Sequence, residues 1–337
     1  MAAAAVQKDD LFIPLIDFSQ FLHGNADAKS ATAKEILSGF QKAGFIYLRN
    51  HGIPKETVKT VFEESAQWFA RPQEQKDALA WYSPKANRGY TAHGREKVTN
   101  LTEQGDVEAL RAAVPDLKES LEIGREGEPD CPNMWADDEA GKRFKATMLS
   151  FFDTCKNLHI ELMRAIAVGL GIDESWFDGY TDRGDNTLRL LHYPPVKKAV
   201  FDANKSQVRA GAHTDYGSVT LLFQDSRGGL QVESPNGNFI DATPIEGTIV
   251  INAGDLLARW SNDTIRSTTH RVVEPPHPPS EGADGEYPSR YSIAYFCNPN
   301  FDRMIEVIPS TCAQGEKPKY EPVRSGEYLV RRLTATY

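Results

Sequence analysis

Val208-Arg209-Ala210-Gly211-Ala212-His213-Thr214-Asp215-Tyr216-Gly217-Ser218-Val219-Thr220 is the stretch on which the reading of this chain turns. Its β-branched residues and punctuating glycines predict a strand running into a turn. Side chains alternate faces along a strand, so His213 and Asp215 are expected side by side on one face. A neutral imidazole and a carboxylate presented together supply two of the three ligands of a facial metal site. His-x-acid triplets also arise by chance in a chain with 8 His and 47 Asp plus Glu among 337 residues, and a second one is present, His159-x-Glu161. That one lies in a helical segment, where positions two apart point about 200° away from each other and cannot share an ion. The strand context sets His213 and Asp215 apart.

Around this stretch the texture is β from residue 186 onward. Short strands are expected at 187–193, 208–213, 218–223, 229–233, 247–252, 268–273 and 290–296, separated by turns such as Pro235-Asn236-Gly237-Asn238. Seven or eight short antiparallel strands at this spacing fit a double-sheet jelly roll. The third metal ligand should come from another strand of that barrel, and His270, which opens the β-branched run His270-Arg271-Val272-Val273, is the best candidate. The alternative is an ordinary core or surface histidine. Two histidines and one carboxylate favour non-haem Fe(II) over zinc and leave coordination positions open, as oxygen chemistry requires.

Two further strands carry inward-facing charge by alternation. In Arg290-Tyr291-Ser292-Ile293-Ala294-Tyr295-Phe296, one face holds Arg290, Ser292, Ala294 and Phe296. An arginine facing a barrel interior is costly unless an anion pairs with it, and a guanidinium fork beside a hydroxyl suits a carboxylate. An internal salt bridge is the competing explanation. In Thr187-Leu188-Arg189-Leu190-Leu191-His192-Tyr193, the residues Arg189, Leu191 and Tyr193 share a face, bringing a second arginine and a tyrosine inward. Tyr216, next to Asp215, and Phe296 would then border the open metal position, with Arg189 available to donate to a carbonyl between them. Two rings and one donor make a slot for a planar heterocycle or aromatic substrate, stacking setting its plane and the hydrogen bond its rotation. Ordinary barrel packing is the bland alternative for these rings.

The first half of the chain is α/β in pattern. A strand at 11–18 with Pro14 near its start is expected at a sheet edge. It is followed by a helix at 28–43 stopped by Gly44, a strand at 45–48, and a helix at 55–69 with an apolar stripe. Residues 80–130 are the least regular part, where Asn87-Arg88-Gly89-Tyr90 and Lys118-Glu119-Ser120-Leu121-Glu122-Ile123-Gly124 are candidate strand-edge or lid segments, with a flexible linker the equal alternative. The longest helix, 142–169, keeps a 3.6-residue apolar period and reads as a scaffold. Residues 325–336 close the chain as a helix. The expected fold is α+β, a double-stranded β-helix (jelly roll) core with an N-terminal α/β region and packing helices. Its division is 1–130, the scaffold helix within 131–180, the core at 181–310, and a C-terminal helix at 311–337.

A net charge of -9 argues against nucleic acid or an anionic membrane as partner. Cys131, Cys155, Cys297 and Cys312 lie far apart with no CxxC, which suggests free thiols in a reducing compartment. No apolar run approaches membrane-spanning length and the N-terminus lacks a signal-peptide core, so a cytoplasmic protein is expected.

The combination His213-x-Asp215, distant His270 and Arg290-x-Ser292 resembles the 2-oxoglutarate/Fe(II)-dependent dioxygenases of the isopenicillin-N-synthase-like branch. The N-terminal runs Ile13-Pro14-Leu15-Ile16-Asp17 and Gly44-Phe45-Ile46-Tyr47-Leu48 resemble the same branch, so the likeness spans roughly residues 11–310. It implies Fe(II) on His213, Asp215 and His270. It also implies 2-oxoglutarate as cosubstrate, its distal carboxylate held by Arg290 and Ser292 with Tyr193 beside them, and O2 as oxidant. Plant members usually carry Asn where this chain has Leu191, a departure on the strand bearing Tyr193. Longer runs such as Leu188-Arg189-Leu190-Leu191-His192-Tyr193-Pro194 and Leu257-Ala258-Arg259-Trp260-Ser261-Asn262-Asp263 are similar to fungal members that oxidise the methyl group of thymine stepwise. The resemblance thus implies a hydroxylase releasing succinate and CO2. Open alternatives are an aromatic intermediate of fungal secondary metabolism as substrate, an oxidase or cyclase of the same branch that uses no 2-oxoglutarate, and a binding module without turnover.

Overall fold

The computed structural model of the chain describes residues 3–96, 114–204, 206–275, 285–312 and 315–336. The chain starts with strand β1 (Ala3–Lys8), which turns through Asp9 and Asp10, both with positive φ, into antiparallel β2 (Leu11–Asp17). Helix Ala26–Lys42 leads to β3 (Phe45–Arg49), and helix Lys55–Phe69 follows. Strands β4 (Gly89–Thr91) and β5 (Glu119–Gly124) precede the long helix Glu139–Gly169. Then come β6 (Thr187–Tyr193), β7 (Val196–Lys197), β8 (Ala210–His213), β9 (Val219–Gln224), β10 (Leu230–Glu233) and β11 (Phe239–Asp241). The core is completed by β12 (Thr248–Ala253), β13 (His270–Val272), β14 (Glu286–Tyr287) and β15 (Arg290–Cys297), and helix Ser325–Thr336 closes it.

Nine strands form one sheet in the order β1-β2-β3-β12-β9-β15-β6-β5-β4, and four form a second, β11-β10-β13-β8. Strands from the first 130 residues therefore extend the large sheet at both flanks. The placement of Pro14 corrects an expectation: β2 lies inside the sheet between β1 and β3, not at its edge. The ladder accommodates the missing N–H because β1 shifts register between Ala4 and Val6, opposite Pro14, and the parallel pairing with β3 begins only at Leu15. A proline beside a bulge removes little hydrogen bonding. Strand β1 itself was not foreseen. Its run Ala3-Ala4-Ala5-Val6-Gln7-Lys8 has no period-2 alternation, and only Val6 is buried.

The two faces of the large sheet have different jobs. One packs on the long helix, with Phe151 against Phe223 and Phe152 against Tyr295 at ring-centroid separations of 5.2 and 5.1 Å. Each such fully buried apolar side chain stabilises the fold by about 1.5–3 kcal/mol. Asp138 caps that helix, its carboxylate accepting from the Gly141 N–H at 2.6 Å. The other face meets the small sheet and carries the inward residues of β6 and β15, among them Leu191, Tyr193 and Ala294. The strict alternation of β15 decides which residues face which side: Ile293 and Tyr295 join the helix-side core, while Arg290, Ser292, Ala294 and Phe296 look between the sheets. All four cysteines are free.

Candidate active site

The site grows from one cross-strand pair. β8 and β13 are antiparallel neighbours, and His213 and His270 face each other directly in the register. Their rings lie 4.3 Å apart. Asp215 reaches them from a different element than expected. β8 ends at His213, and Asp215 sits in the turn beyond it, so strand alternation is not what aligns the two. The turn is pinned instead by backbone bonds, the Asp255 N–H donating to the Asp215 carbonyl at 2.8 Å and the Leu256 N–H to the Tyr216 carbonyl at 3.2 Å. Asp215 Oδ1 then lies 3.6 Å from His213 Nε2 and 3.8 Å from His270 Nε2. One ligand atom from each of the three residues falls within 4.8 Å of the others.

The groups behind these three orient them as a metal requires. His213 Nδ1 lies 2.8 Å from the Gly211 carbonyl and His270 Nδ1 3.2 Å from the Thr268 carbonyl. A proton on each Nδ1 can only donate there, which leaves both Nε2 lone pairs aimed at the centre. Asp215 Oδ2 accepts from Thr220 Oγ1 at 2.6 Å and from Asn252 Nδ2 at 2.7 Å, leaving Oδ1 for the histidines. Thr220 and Asn252 are themselves register partners on β9 and β12. Burial, and then the neighbouring His270, lower the pKa of His213 and favour its neutral form. Burial alone would raise the Asp215 pKa, but the two imidazoles and its two donors outweigh it and hold it below the ordinary value. Two imidazoles presenting Nε2 and an ionised carboxylate, each with its outer partner fixed, are a donor set that fits Fe(II).

On one side of the three lies a chamber between the sheets, shared by His213, Asp215 and His270 with Arg290, Ser292 and Tyr193. Arg290 is 1 % exposed. Its Nε donates to the Gly228 carbonyl at 2.8 Å and Nη1 to Ser292 Oγ at 3.2 Å, and its guanidinium stands 4.8 Å from the Tyr193 ring. Among the described residues no carboxylate pairs with Arg290, so the internal salt bridge that would have explained it is not found there. The chamber therefore offers a buried, oriented cation beside a hydroxyl.

On the other side a second pocket shares His213, Asp215, Arg189 and Phe296 with the first, and adds Tyr216. Arg189 is more constrained than its sequence position suggests. It pairs with Glu96 at 3.0 Å and Glu122 at 2.7 Å, and stacks 5.3 Å from the Phe296 ring. Glu96 also accepts from the buried Lys118. Burial alone would raise the Glu96 pKa, but Arg189 and Lys118 hold it down at about 2. Sequence reasoning missed Glu96, Thr220 and Asn252. A polar residue at the end of the apolar run Ile249-Val250-Ile251-Asn252 was the available signal for the last of these, and none pointed to Glu96. It also missed that Leu329, Val330 and Leu333 of the closing helix line the second pocket. Of the other histidines, His192 pairs with Glu119 at 2.7 Å and His159 is buried under the sheet, both away from the site.

A jelly roll with a His-Asp-His facial site and a buried arginine chamber is the architecture of the Fe(II) oxygenases that use a 2-oxo acid, and comparison with known proteins agrees. Residues 184–299 match the 2OG-Fe(II) oxygenase superfamily, and residues 13–139 match the module described as non-haem dioxygenase in morphine synthesis N-terminal. The chain is 35% identical to the 2-oxoglutarate-Fe(II) type oxidoreductase ppzD of Metarhizium rileyi, over 96% of this chain and 90% of that one. It is 34% identical to the proline hydroxylase buaE of Petromyces alliaceus, over 96% and 98%. The chain belongs to the 2OG-Fe(II) oxygenase superfamily and is a 2-oxoglutarate/Fe(II)-dependent dioxygenase, with Fe(II), 2-oxoglutarate and O2 as its cofactor and cosubstrates. Among solved structures it is similar to thymine 7-hydroxylase of Neurospora crassa. The complex of that protein with α-ketoglutarate and thymine superposes with a TM-score of 0.91 at 62% identity, covering 99% of this chain and 100% of that one. The complex with 5-formyluracil gives 0.89 at 58%, covering all of both chains. Among the described residues no helix is long and apolar enough to cross a membrane.

Proposed function

We propose that this enzyme hydroxylates the methyl group of thymine and carries the product on through aldehyde to acid. The observation that supports this most is the full-length similarity to thymine 7-hydroxylase structures that hold thymine in one case and 5-formyluracil, an oxidised derivative of thymine, in another. In this reading His213, Asp215 and His270 hold Fe(II). Bound there with 2-oxoglutarate and O2, the iron supplies the oxidising power to break a C–H bond while succinate and CO2 are released. The remaining work belongs to the chain. The Arg290 fork, Ser292 and Tyr193 hold the distal carboxylate of the cosubstrate and so set its angle of approach. Tyr216 and Phe296 border a flat ring, and Arg189, held in place by Glu96 and Glu122, donates to one of its carbonyls. The apolar side chains of Leu329 and Leu333 keep water from the reacting carbon.

Thymine should stimulate succinate release and shift the visible charge-transfer band that 2-oxoglutarate gives with the Fe(II) enzyme under anaerobic conditions. Phe296→Ala and Arg189→Ala should each lower thymine-coupled turnover about tenfold or more, the scale set by one lost aromatic contact or hydrogen bond. Both should leave the 2-oxoglutarate dissociation constant within about twofold. If thymine neither stimulates turnover nor shifts the band in the wild type, the pyrimidine assignment is wrong, and a panel of aromatic and cyclic substrates read by succinate release replaces it.

A further inference from the structure

The helix Ser325–Thr336 does more than close the fold. Leu329, Val330 and Leu333 form a wall of the pocket that also contains His213, Asp215 and Tyr216. From the same helix Arg332 pairs with Asp255 at 3.0 Å, each side chain more than four-fifths covered. Its guanidinium carbon lies 4.4 Å from the centroid of the Tyr216 ring. Asp255 is itself held from three directions. It accepts from Thr214 Oγ1 at 3.2 Å and from Ser267 Oγ at 2.7 Å, and its N–H donates to the Asp215 carbonyl at 2.8 Å. Asp255 thus links the closing helix, through its carboxylate and its N–H, to Thr214 and Asp215 of the turn that presents Asp215 and Tyr216.

We propose that Arg332 is a positioning residue for substrate: stacked on one face of Tyr216 and anchored by Asp255, it fixes the plane of that ring and leaves the opposite face for a flat substrate. The proposal rests on the reading of Tyr216 as a border of the substrate slot. A tyrosine ring has two rotatable bonds and, without a neighbour on one face, samples orientations that do not stack. A planar cation is suited to the job because it both covers the ring and, through its fork, holds a carboxylate at a fixed angle. The closing helix is accordingly a specificity element, its apolar side chains setting the depth of the slot and Arg332 its plane.

The test uses the full-length Fe(II) enzyme with Arg332→Met and Arg332→Lys. Arg332→Met should lower kcat/KM for thymine about tenfold, mostly through KM, within the range of a partly buried cation–π contact. It should also raise the share of succinate released without product, and leave the anaerobic 2-oxoglutarate titration within about twofold. Arg332→Lys keeps the charge on Asp255 but not the flat stack, so it should fall between, and it carries the test if the methionine variant does not fold. Amide hydrogen exchange without substrate gives a second readout, in which Arg332→Met should speed exchange in residues 214–217 and in the helix together. Thymine kinetics unchanged in Arg332→Met, where the wild type does turn over thymine, overturn the proposal, as does faster exchange in the helix alone. A wild type silent to thymine removes the pyrimidine assignment, and the exchange result then decides on Arg332 by itself.

Discussion

Replacing Arg290 with lysine tests the cosubstrate chamber most directly. Arg290 donates to the Gly228 carbonyl at 2.8 Å, to Ser292 Oγ at 3.2 Å and to Gln224 Oε1 at 3.4 Å, and is almost fully buried. These bonds fix the guanidinium plane, so the remaining N–H groups meet a carboxylate in one orientation. A lysine keeps the charge but presents a compact ammonium on a flexible stem, and it cannot serve the Gly228 carbonyl and a two-oxygen ligand at once. The loss expected for one charge-assisted hydrogen bond is about 1.5–3 kcal/mol, which corresponds to a roughly 10- to 150-fold weaker complex. The assay is an anaerobic titration of the Fe(II) enzyme with 2-oxoglutarate, followed by its visible charge-transfer band. Steady-state KM for the cosubstrate should rise in parallel. An unchanged dissociation constant, with only the KM of the organic substrate affected, would instead place a carboxylate of the substrate on Arg290.

Other perturbations separate metal, fold and pH. His213→Ala, Asp215→Ala and His270→Ala should each abolish turnover and bound iron while leaving the circular dichroism spectrum nearly unchanged, because the removed side chains face the chamber between the sheets and not the helix-packed core; activity like the wild type in any of them removes that residue from the site. His159, wholly buried in the long helix, has its pKa pushed by burial down to about 3, so the folded protein keeps it neutral where the unfolded chain would protonate it. The stability this favours is complete above the unfolded value near 6.5 and is lost as pH falls towards 3, about 2 kcal/mol of it by pH 5. Denaturant unfolding at pH 7 and pH 5 should therefore show a drop that His159→Leu lacks by that amount; equal slopes for the two proteins would rule His159 out as the cause.

Much of this architecture was legible because local rules and tertiary structure agree. β6 occupies 187–193 as expected, and the helix over 55–69 has the expected ends, since an alternating or 3.6-residue pattern there faces a single core. The inward faces of β6 and β15 follow from alternation alone, which is why Arg189, Tyr193, Arg290, Ser292 and Phe296 could be named in advance. Where the logic failed, a tertiary constraint had replaced a local one. Asp215 is aligned by bonds to Asp255 and by donors from Thr220 and Asn252, residues 5 and 37 positions away, and not by strand geometry. Pro14 is tolerated within a sheet because its neighbour strand slips register, an event written in no single segment. Arg189 looked like a free donor because Glu96 lies 93 positions from it. The contribution of Leu329 and Leu333 to the pocket depends on where a terminal helix docks, which periodicity cannot say.

The direct pairing of His213 with His270 across β8 and β13 has a consequence for how the enzyme can change. The distance between two of its ligands is set by a backbone ladder, which repeats at fixed spacing whatever side chains surround it. Diversification can therefore act on the terminal helix and on the residues beside Tyr216, altering which molecule is accepted, without retuning the ligand spacing each time. A library confined to Leu329, Val330 and Leu333 would explore new substrates on an intact oxidising centre, whereas a one-residue slip of β13 would place His270 on the wrong face and end all of them together.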